Sequence, residues 1–93
     1  MTDHTILIVE DERNLRRVMA AWLEGEGFTP RTAEDAEDAL DQVATAVPGL
    51  VITDHRLGSG RNGLQLMQTL KAEHPGLPVI IVTAYGNVET AVE

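Results

Sequence analysis

The sequence predicts a doubly wound α/β domain whose parallel sheet has the strand order 2-1-3-4. Short apolar runs alternate with stretches of helical periodicity, which is typical of parallel strands joined by crossover helices. The runs Thr5–Val9 and Val79–Thr83 are almost wholly apolar, as expected of strands that are buried on both faces. Pro30 interrupts the second run. Because proline cannot donate to an interior ladder, that strand is expected at an edge, where strand two lies in the order 2-1-3-4-5.

Composition limits the function classes. The 93 residues form one domain with an aliphatic core, because 43% of the residues are hydrophobic and only 3% are aromatic. Nucleic-acid phosphates would repel a formal charge of −8, so no direct binding to nucleic acid is expected. The sequence has no cysteine, which excludes disulfides and thiolate metal sites. It has no basic leader and no apolar run of membrane-spanning length, so we expect a cytoplasmic protein without membrane contact.

The first half of the chain predicts two strands and two helices. Strand one is followed by a helix over Asn14–Glu26, which Gly27 ends, and by strand two near Phe28–Arg31. Thr32 and Asp35 have the spacing of a capping box for helix two. The apolar stripe of helix one, in which the tryptophan is expected to pack in the core, is Leu15, Val18, Met19, Trp22 and Leu23. The stripe of helix two is Ala36, Ala39, Leu40, Val43 and Val47. The solvated acidic face of helix two is Glu34, Asp35, Glu37, Asp38 and Asp41.

The second half repeats the alternation. Strand three is Leu50–Thr53, a polar, glycine-rich loop runs from Asp54 to Gly63, and helix three covers Leu64–Glu73. Strand four then ends at Thr83, and Asn87 is expected to cap a fourth helix. The inward side chains of helix three are Leu66, Met67 and Leu70, and those of helix four are Val88, Ala91 and Val92.

Three carboxylates stand where apolar strands end. Glu10 and Asp11 follow strand one, and Asp54 follows strand three. The carboxyl ends of parallel strands meet at one edge of the sheet, where ligands bind. A pocket so rich in oxygen and negative charge favours Mg²⁺, with Asp11 and Asp54 as direct ligands, the Arg56 carbonyl as a third, and Glu10 acting through water.

Asp54 is also a candidate nucleophile that accepts a phosphoryl group as an acyl phosphate. Thr83, at the end of strand four, could donate its hydroxyl to that group, with the small Ala84 leaving the approach open. Each residue has a simpler alternative: Asp11 could cap the first helix, Thr83 could simply end its strand, and Asp54 could be a turn residue. His55, next to the acceptor, is expected to be a solvent-facing loop side chain.

The segments that carry these residues resemble a receiver domain of two-component response regulators. The matching segments are Ile6–Glu12, Val51–Leu57 and Val79–Ala84. The likeness extends from strand one into the predicted fourth helix. Within it, Tyr85–Val92 resembles transcriptional activators of the nitrogen-regulation type.

The resemblance implies a flavodoxin-like fold and a phosphorylation-dependent signalling switch rather than an enzyme. Asp54 is the implied phosphate acceptor, and a sensor histidine kinase or phosphotransfer protein is the implied donor. Glu10 and Asp11 are the implied acidic pair that holds Mg²⁺. Thr83 is the implied switching hydroxyl, which changes the helix-four surface to control an output such as transcription. Asn14 and Arg17, on the exposed side of helix one, are candidate kinase contacts.

The sequence departs from the family pattern in three ways. Glu10 stands where most relatives have aspartate, and the loop after Leu57 lacks the usual proline and is one residue longer. The fifth strand, with its lysine, and the fifth helix are absent from the 93 residues. Lys71, the one lysine, is expected near the opposite edge of the sheet. Residues 1–93 are therefore expected to be a receiver domain incomplete at its C-terminus.

Two consequences and two rival functions follow from these departures. Strand four presents an apolar edge, so we expect either an effector domain beyond Glu93 or a dimer formed through that edge. One rival function is a degenerate receiver that acts only as a protein-interaction module. The other is an aspartate-nucleophile phosphatase of the dehalogenase type. It is disfavoured because Arg56 stands where such enzymes place a second aspartate.

Overall fold

The protein forms a five-stranded sheet with helices on both faces. Its structure is a computed structural model that describes residues 4–58, 60–82 and 88–89. In chain order the elements are β1 Thr5–Val9, α1 Arg13–Gly25, β2 Thr29–Ala33, α2 Ala36–Thr45, β3 Leu50–Asp54, α3 Gly63–Glu73, β4 Val79–Val82 and β5 Val88–Glu89. None of the helices in the described part has the length and apolar character that a membrane crossing requires.

The four long strands are parallel and have the order β2-β1-β3-β4, which confirms the predicted topology. Pro30 lies in the edge strand β2, opposite Ile6, where its missing N–H removes no bond from the interior of the sheet. β1 and β3 are therefore central. Their C-terminal ends lie side by side, since Val9 pairs with Thr53.

The two faces of the sheet are covered differently. The face that packs against α2 and α3 carries the larger cluster of buried side chains, which includes Leu7, Val51 and Val79. On the other face the cluster is smaller: among the described residues, Ile6 and Ile8 of β1 pack with Leu23 of α1. Alternate residues of each strand point to opposite faces, so β1 contributes to both clusters.

The predicted burial of helix one is wrong for three residues. Leu15, Val18 and Trp22 are 45%, 64% and 65% exposed, whereas Leu23 is buried and Met19 packs against it only in part. The physical reason is the way α1 sits on the sheet. It contacts the sheet through one edge of its apolar stripe, and the other edge faces away from both clusters. The tryptophan is therefore a surface residue.

Helices two and three follow their predicted stripes more closely. Every predicted inward residue of α3 is buried. In α2, Leu40 is only partly buried against the larger cluster, and Val47 is exposed because the helix ends at Thr45. The predicted capping box of α2 is wrong, since Thr32 lies in β2 and Asp35 alone caps the helix. A capping box is present instead at the start of α3, between Asn62 and Gln65, and the sequence pattern did not predict it there.

The prediction of a helix that includes Val88 is also wrong. Val88–Glu89 forms a short strand that pairs antiparallel with Val82 and Ile81 of β4. An edge strand has backbone N–H and C=O groups that need partners, and these two residues supply them for the end of β4. The predicted cap of that helix, Asn87, lies outside the described residues. Dimerisation through the β4 edge stays a prediction.

Candidate metal centre

Glu10 follows the last residue of β1 and is buried, with 4% of its surface exposed. Its backbone N–H donates to the carbonyl of Ala33 at 3.0 Å, which extends the pairing of β1 with β2 by one step. Its side-chain Oε2 accepts from the N–H of Glu12 at 2.9 Å, and its carbonyl accepts from Arg16 Nη1 at 2.7 Å. Hydrogen bonds of the Glu10 backbone and of its side chain together fix this carboxylate at the end of β1.

Asp11 is the exposed member of the acidic pair. The helix cap is the next residue, Glu12, whose carboxylate accepts from the N–H of Asn14 at 3.0 Å and from that of Leu15 at 2.8 Å. The alternative that Asp11 caps the first helix is therefore wrong. Because Glu12 satisfies the first turn of α1, the Asp11 carboxylate is not used in capping.

Asp54 is the last residue of β3, pairs with Val82 of β4 and is half-buried. It is therefore a strand residue rather than an exposed turn residue. The backbone N–H of His55 donates to Asp54 Oδ1 at 2.8 Å and also to the carbonyl of Val82 at 3.0 Å. The side chain of His55 is exposed, as the sequence predicts. The Asp54 carboxylate is thus oriented by the backbone that follows it.

The three carboxylates converge. One oxygen each from Glu10, Asp11 and Asp54 can be chosen so that all three lie within 4.8 Å of one another. Ligands of one Mg²⁺ at about 2.1 Å can be at most about 4.2 Å apart. A spacing within 4.8 Å is compatible with three direct ligands, or with two direct ligands and a third that acts through water.

Burial and mutual repulsion both act on the carboxylates of the cluster. Burial raises the pKa of the Glu10 carboxyl above its ordinary value of 4.5. A hydrogen bond with Asp11 and the negative charges of Asp54 and Asp11 raise this pKa further, and the N–H of Glu12 opposes the rise. Closely spaced carboxylates destabilise one another's ionised form. A divalent cation bound among them would remove that repulsion.

The loop between β3 and α3 is closed tightly beside Asp54. The N–H of Gly63 donates to the carbonyl of His55 at 2.8 Å, and a Cβ added at Gly63 would lie 2.2 Å from the Asp54 carbonyl oxygen. Only glycine allows α3 to begin so close to the strand end. Leu57 is buried and anchors the loop in the larger cluster. The Asn62-Gly63 pair is a turn signal in the sequence, but its closeness to Asp54 is a tertiary feature.

The remaining predicted residues have different outcomes. Arg56 lies in this loop and is exposed, and the role of its carbonyl as a ligand stays a prediction. Thr83 and Ala84 lie outside the described residues, directly after the Val82 that pairs with Asp54. Lys71 Nζ donates to the carbonyls of Pro75 and Leu77, each at 3.0 Å, beyond the C-terminal end of α3. This position confirms that Lys71 is at the opposite edge of the sheet.

Residues 6–93 match the family model of the response regulator receiver domain. The nitrogen assimilation regulatory protein NtrX of Azorhizobium caulinodans is 46% identical over 90 residues, which cover 96% of this chain and 20% of that protein. The DNA-binding transcriptional regulator NtrC of Klebsiella pneumoniae is 38% identical over 85 residues, which cover 91% of this chain and 18% of that protein.

A solved structure shows the same fold. The response regulator TrrA of Thermotoga maritima, crystallised in complex with Mg(2+)-BeF, is 33% identical and superposes with a TM-score of 0.83 over 88% of this chain and 70% of the TrrA chain. The present chain spans only about a fifth of the length of the curated relatives it matches. By its sequence, its fold and its converging strand-end acids, the chain belongs to the receiver domains of two-component response regulators, and it is similar to the receiver parts of NtrX and NtrC.

Proposed function

We propose that this protein is a phosphorylation-dependent switch in which Asp54 accepts a phosphoryl group from a phosphohistidine on a sensor kinase. The observation that carries the proposal is the convergence of Glu10, Asp11 and Asp54 within 4.8 Å at the C-terminal ends of the two central strands. Each acid comes from a strand end whose backbone is held by hydrogen bonds. Phosphoryl transfer depends mainly on positioning and charge, and this arrangement supports both.

The chemical step is a displacement at phosphorus. A carboxylate oxygen of Asp54 forms the new P–O bond as the P–N bond of the phosphohistidine breaks, and the imidazole nitrogen keeps the electron pair and gains a proton. The product is an acyl phosphate on Asp54 and a neutral histidine on the donor. The hydrogen bond from the His55 N–H to Asp54 Oδ1 holds the attacking carboxylate in one orientation.

The residues present fit Mg²⁺. The donor set consists of carboxylate oxygens, which this hard cation prefers, and three of them lie within 4.8 Å of one another. Asp11 and Asp54 would hold the ion directly, with Glu10 through water and the carbonyl of Arg56 as a further ligand. When bound, the ion supplies positive charge to the oxygens of the transferring phosphoryl group.

The output is proposed from the relatives. NtrC is a DNA-binding transcriptional regulator, and the relatives are about five times as long as this chain. We infer that the whole protein is a cytoplasmic regulator with an effector domain after residue 93, whose activity follows the phosphorylation state. The receiver domain would be incomplete within residues 1–93. Thr83 is proposed to contact the phosphoryl group and to couple it to the surface that follows β4.

The test is chemical phosphorylation followed by mass spectrometry. The protein is incubated with Mg²⁺ and phosphoramidate, a small P–N phosphodonor, and the adduct is located after proteolysis. We expect one phosphoryl group on Asp54, stable in acid and labile in base, which EDTA or the Asp54→Asn substitution abolishes. The matched control is Asp41→Asn, which removes an exposed acid from α2 and is expected to leave the adduct unchanged.

Two other results would contradict the proposal. Absence of any adduct on Asp54, in a protein that carries its full downstream sequence, would favour an interaction module that is not phosphorylated. Rapid turnover of unrelated phosphoesters without accumulation of an adduct would favour a phosphatase.

A further inference from the structure

The loop between β3 and α3 contains two described glycines with left-handed backbone. Gly58 has φ +71° and Gly60 has φ +84°, a region that residues with a Cβ rarely adopt. The loop is fixed on either side of them. Leu57 is buried in the larger cluster, and the Arg61 Nη1 atom pairs with Glu37 Oε2 of α2 at 2.6 Å. These two contacts lie on either side of the glycine pair.

The two glycines differ in what a side chain would meet. A Cβ added at Gly58 would lie 3.2 Å from Asp11 Oδ2, while a Cβ added at Gly60 would have no heavy atom within 4 Å. The close neighbour of Gly58 is therefore a carboxylate oxygen of the metal centre. It belongs to the one exposed member of the acidic cluster.

An alanine at position 58 would force either the loop backbone or the Asp11 carboxylate to move by a few tenths of an ångström, because a Cβ–O contact of 3.2 Å is tighter than ordinary van der Waals contact. Gly58 directly follows the buried Leu57, whereas the Asp11 carboxylate ends an exposed side chain that can rotate into solvent. The carboxylate is therefore the group that yields. Its displacement breaks the hydrogen bond with Glu10 and takes Oδ2 away from Glu10 and Asp54.

We propose that Gly58 is a positioning residue for the divalent-cation site: the missing side chain leaves the space in which Asp11 Oδ2 stays within bridging reach of Glu10 and Asp54. This inference rests on the proposed function only in taking a hard divalent cation as the ligand. It assigns Gly58 a role that depends on contact with Asp11 and not on loop conformation alone, since Gly60 shares the conformation and lacks the contact.

The test compares Mg²⁺ binding by the parent, Gly58→Ala and Gly60→Ala proteins, measured by isothermal titration calorimetry at constant pH. We expect Gly60→Ala to bind like the parent and Gly58→Ala to bind about tenfold more weakly, because affinity at oxygen-ligand sites follows the number and charge of the ligands. Equal affinity of all three proteins would overturn the inference. So would equal weakening in both variants, which would show left-handed strain as the cause.

A parent protein that binds no Mg²⁺ would refute the proposed function itself, and the inference with it, so the two failures are distinguishable. Thermal unfolding in EDTA covers the case in which Gly58→Ala folds poorly. Removing the carboxylate with Asp11→Ala should then relieve the contact, so that the Gly58→Ala/Asp11→Ala protein melts like the Gly60→Ala/Asp11→Ala protein. A persistent deficit in the former would show that the backbone, not Asp11, opposes the side chain, which also overturns the inference.

Discussion

The acids at the strand ends and the acids of α2 carry the same charge but have different neighbours. Acids of α2 have hydrogen-bond donors and an arginine as partners, whereas those at the strand ends face one another. In α2, Asp35 Oδ1 accepts from the N–H of Asp38 at 2.8 Å, and Glu37 pairs with Arg61. Acids in the first turn also face the positive end of the helix dipole. At the strand ends, three carboxylates face one another within 4.8 Å, and the pKa of Glu10 is raised.

The difference shows that local density of acids in a sequence does not indicate a metal site. The α2 group is five acids within eight positions, from Glu34 to Asp41, of which two precede the helix and three lie along it. The members of the strand-end group come from positions 10, 11 and 54, and the parallel pairing of β1 with β3 brings them together. The second group is the candidate ion site because its carboxylates face one another in the folded protein, where closely spaced negative charges destabilise one another.

The largest effect is expected from a substitution that displaces the C-terminal end of β3. Gly63→Ala would put a Cβ 2.2 Å from the Asp54 carbonyl oxygen, so β3 or the start of α3 must shift. Forcing atoms into such a space typically costs about 1–3 kcal/mol of stability. We expect at least that loss in urea denaturation, together with reduced phosphorylation of Asp54, while the acids of α2 keep their positions.

The matched control is Gly25→Ala at the end of α1, where an added Cβ meets nothing within 4 Å. That change should be neutral or stabilising by up to about 1 kcal/mol, since alanine favours a helix over glycine. If Gly63→Ala were as stable as Gly25→Ala, the close approach of α3 to the strand end would be wrong.

Removing a hydrogen-bonded acid from the start of α2 should destabilise the protein, by less than Gly63→Ala does. Asp35→Ala deletes the N-cap oxygen that accepts from the Asp38 N–H, which typically costs about 1 kcal/mol. Asp41→Ala, in the exposed middle of the same helix, should change stability by less than about 0.5 kcal/mol. Chemical denaturation at neutral pH measures both. Equal losses in the two variants would mean that charge, not capping, sets the energetics of this helix.

Neutralising an acid of the strand-end group should stabilise the protein when no metal is bound, in contrast to the destabilisation expected for Asp35→Ala. The pKa of Glu10 is raised in the folded state, so the unfolded chain loses this proton at lower pH than the folded protein does. Stability therefore falls as pH rises from about 4.5 through the folded pKa. Glu10→Gln should remove that fall, making the variant equal to the parent at acidic pH and more stable than it at neutral pH.

Thermal unfolding in EDTA from pH 4 to pH 8 provides the measurement for Glu10, with Asp41→Asn as the control that should follow the parent at every pH. A Glu10→Gln protein that is less stable than the parent at neutral pH would show that the hydrogen bond from Glu12 outweighs burial and repulsion. Acids of both groups would then stabilise the fold, and the contrast between the groups would be wrong.

The sequence predicts the strand ends well because the signal there is local. An apolar run that stops at a carboxylate marks both the strand and the edge, and the parallel order then follows from the crossover pattern and Pro30. The coming together of Glu10, Asp11 and Asp54 needs only that topology. No contact outside the sheet has to be known.

The features that the sequence does not predict depend on contacts between distant segments. The apolar stripe of α1 is real, but which edge of it is buried depends on how the helix rests on the sheet, so Val18 and Trp22 are exposed. The cap of α1 is Glu12 rather than Asp11 because the turn after β1 places the next residue at the helix start. The space beside Gly58 exists only because the loop passes Asp11.

The most direct test of the account is to ask which acidic group binds a divalent cation. Mn²⁺ shares the preference of Mg²⁺ for oxygen ligands and broadens the amide NMR signals of residues close to it. Substoichiometric Mn²⁺ should first broaden Asp11, Glu12 and His55, and should leave Glu37 and Asp41 of α2 sharp. Broadening that begins at α2, or that spreads equally over both acidic groups, would contradict the claim that the strand-end carboxylates form the metal centre.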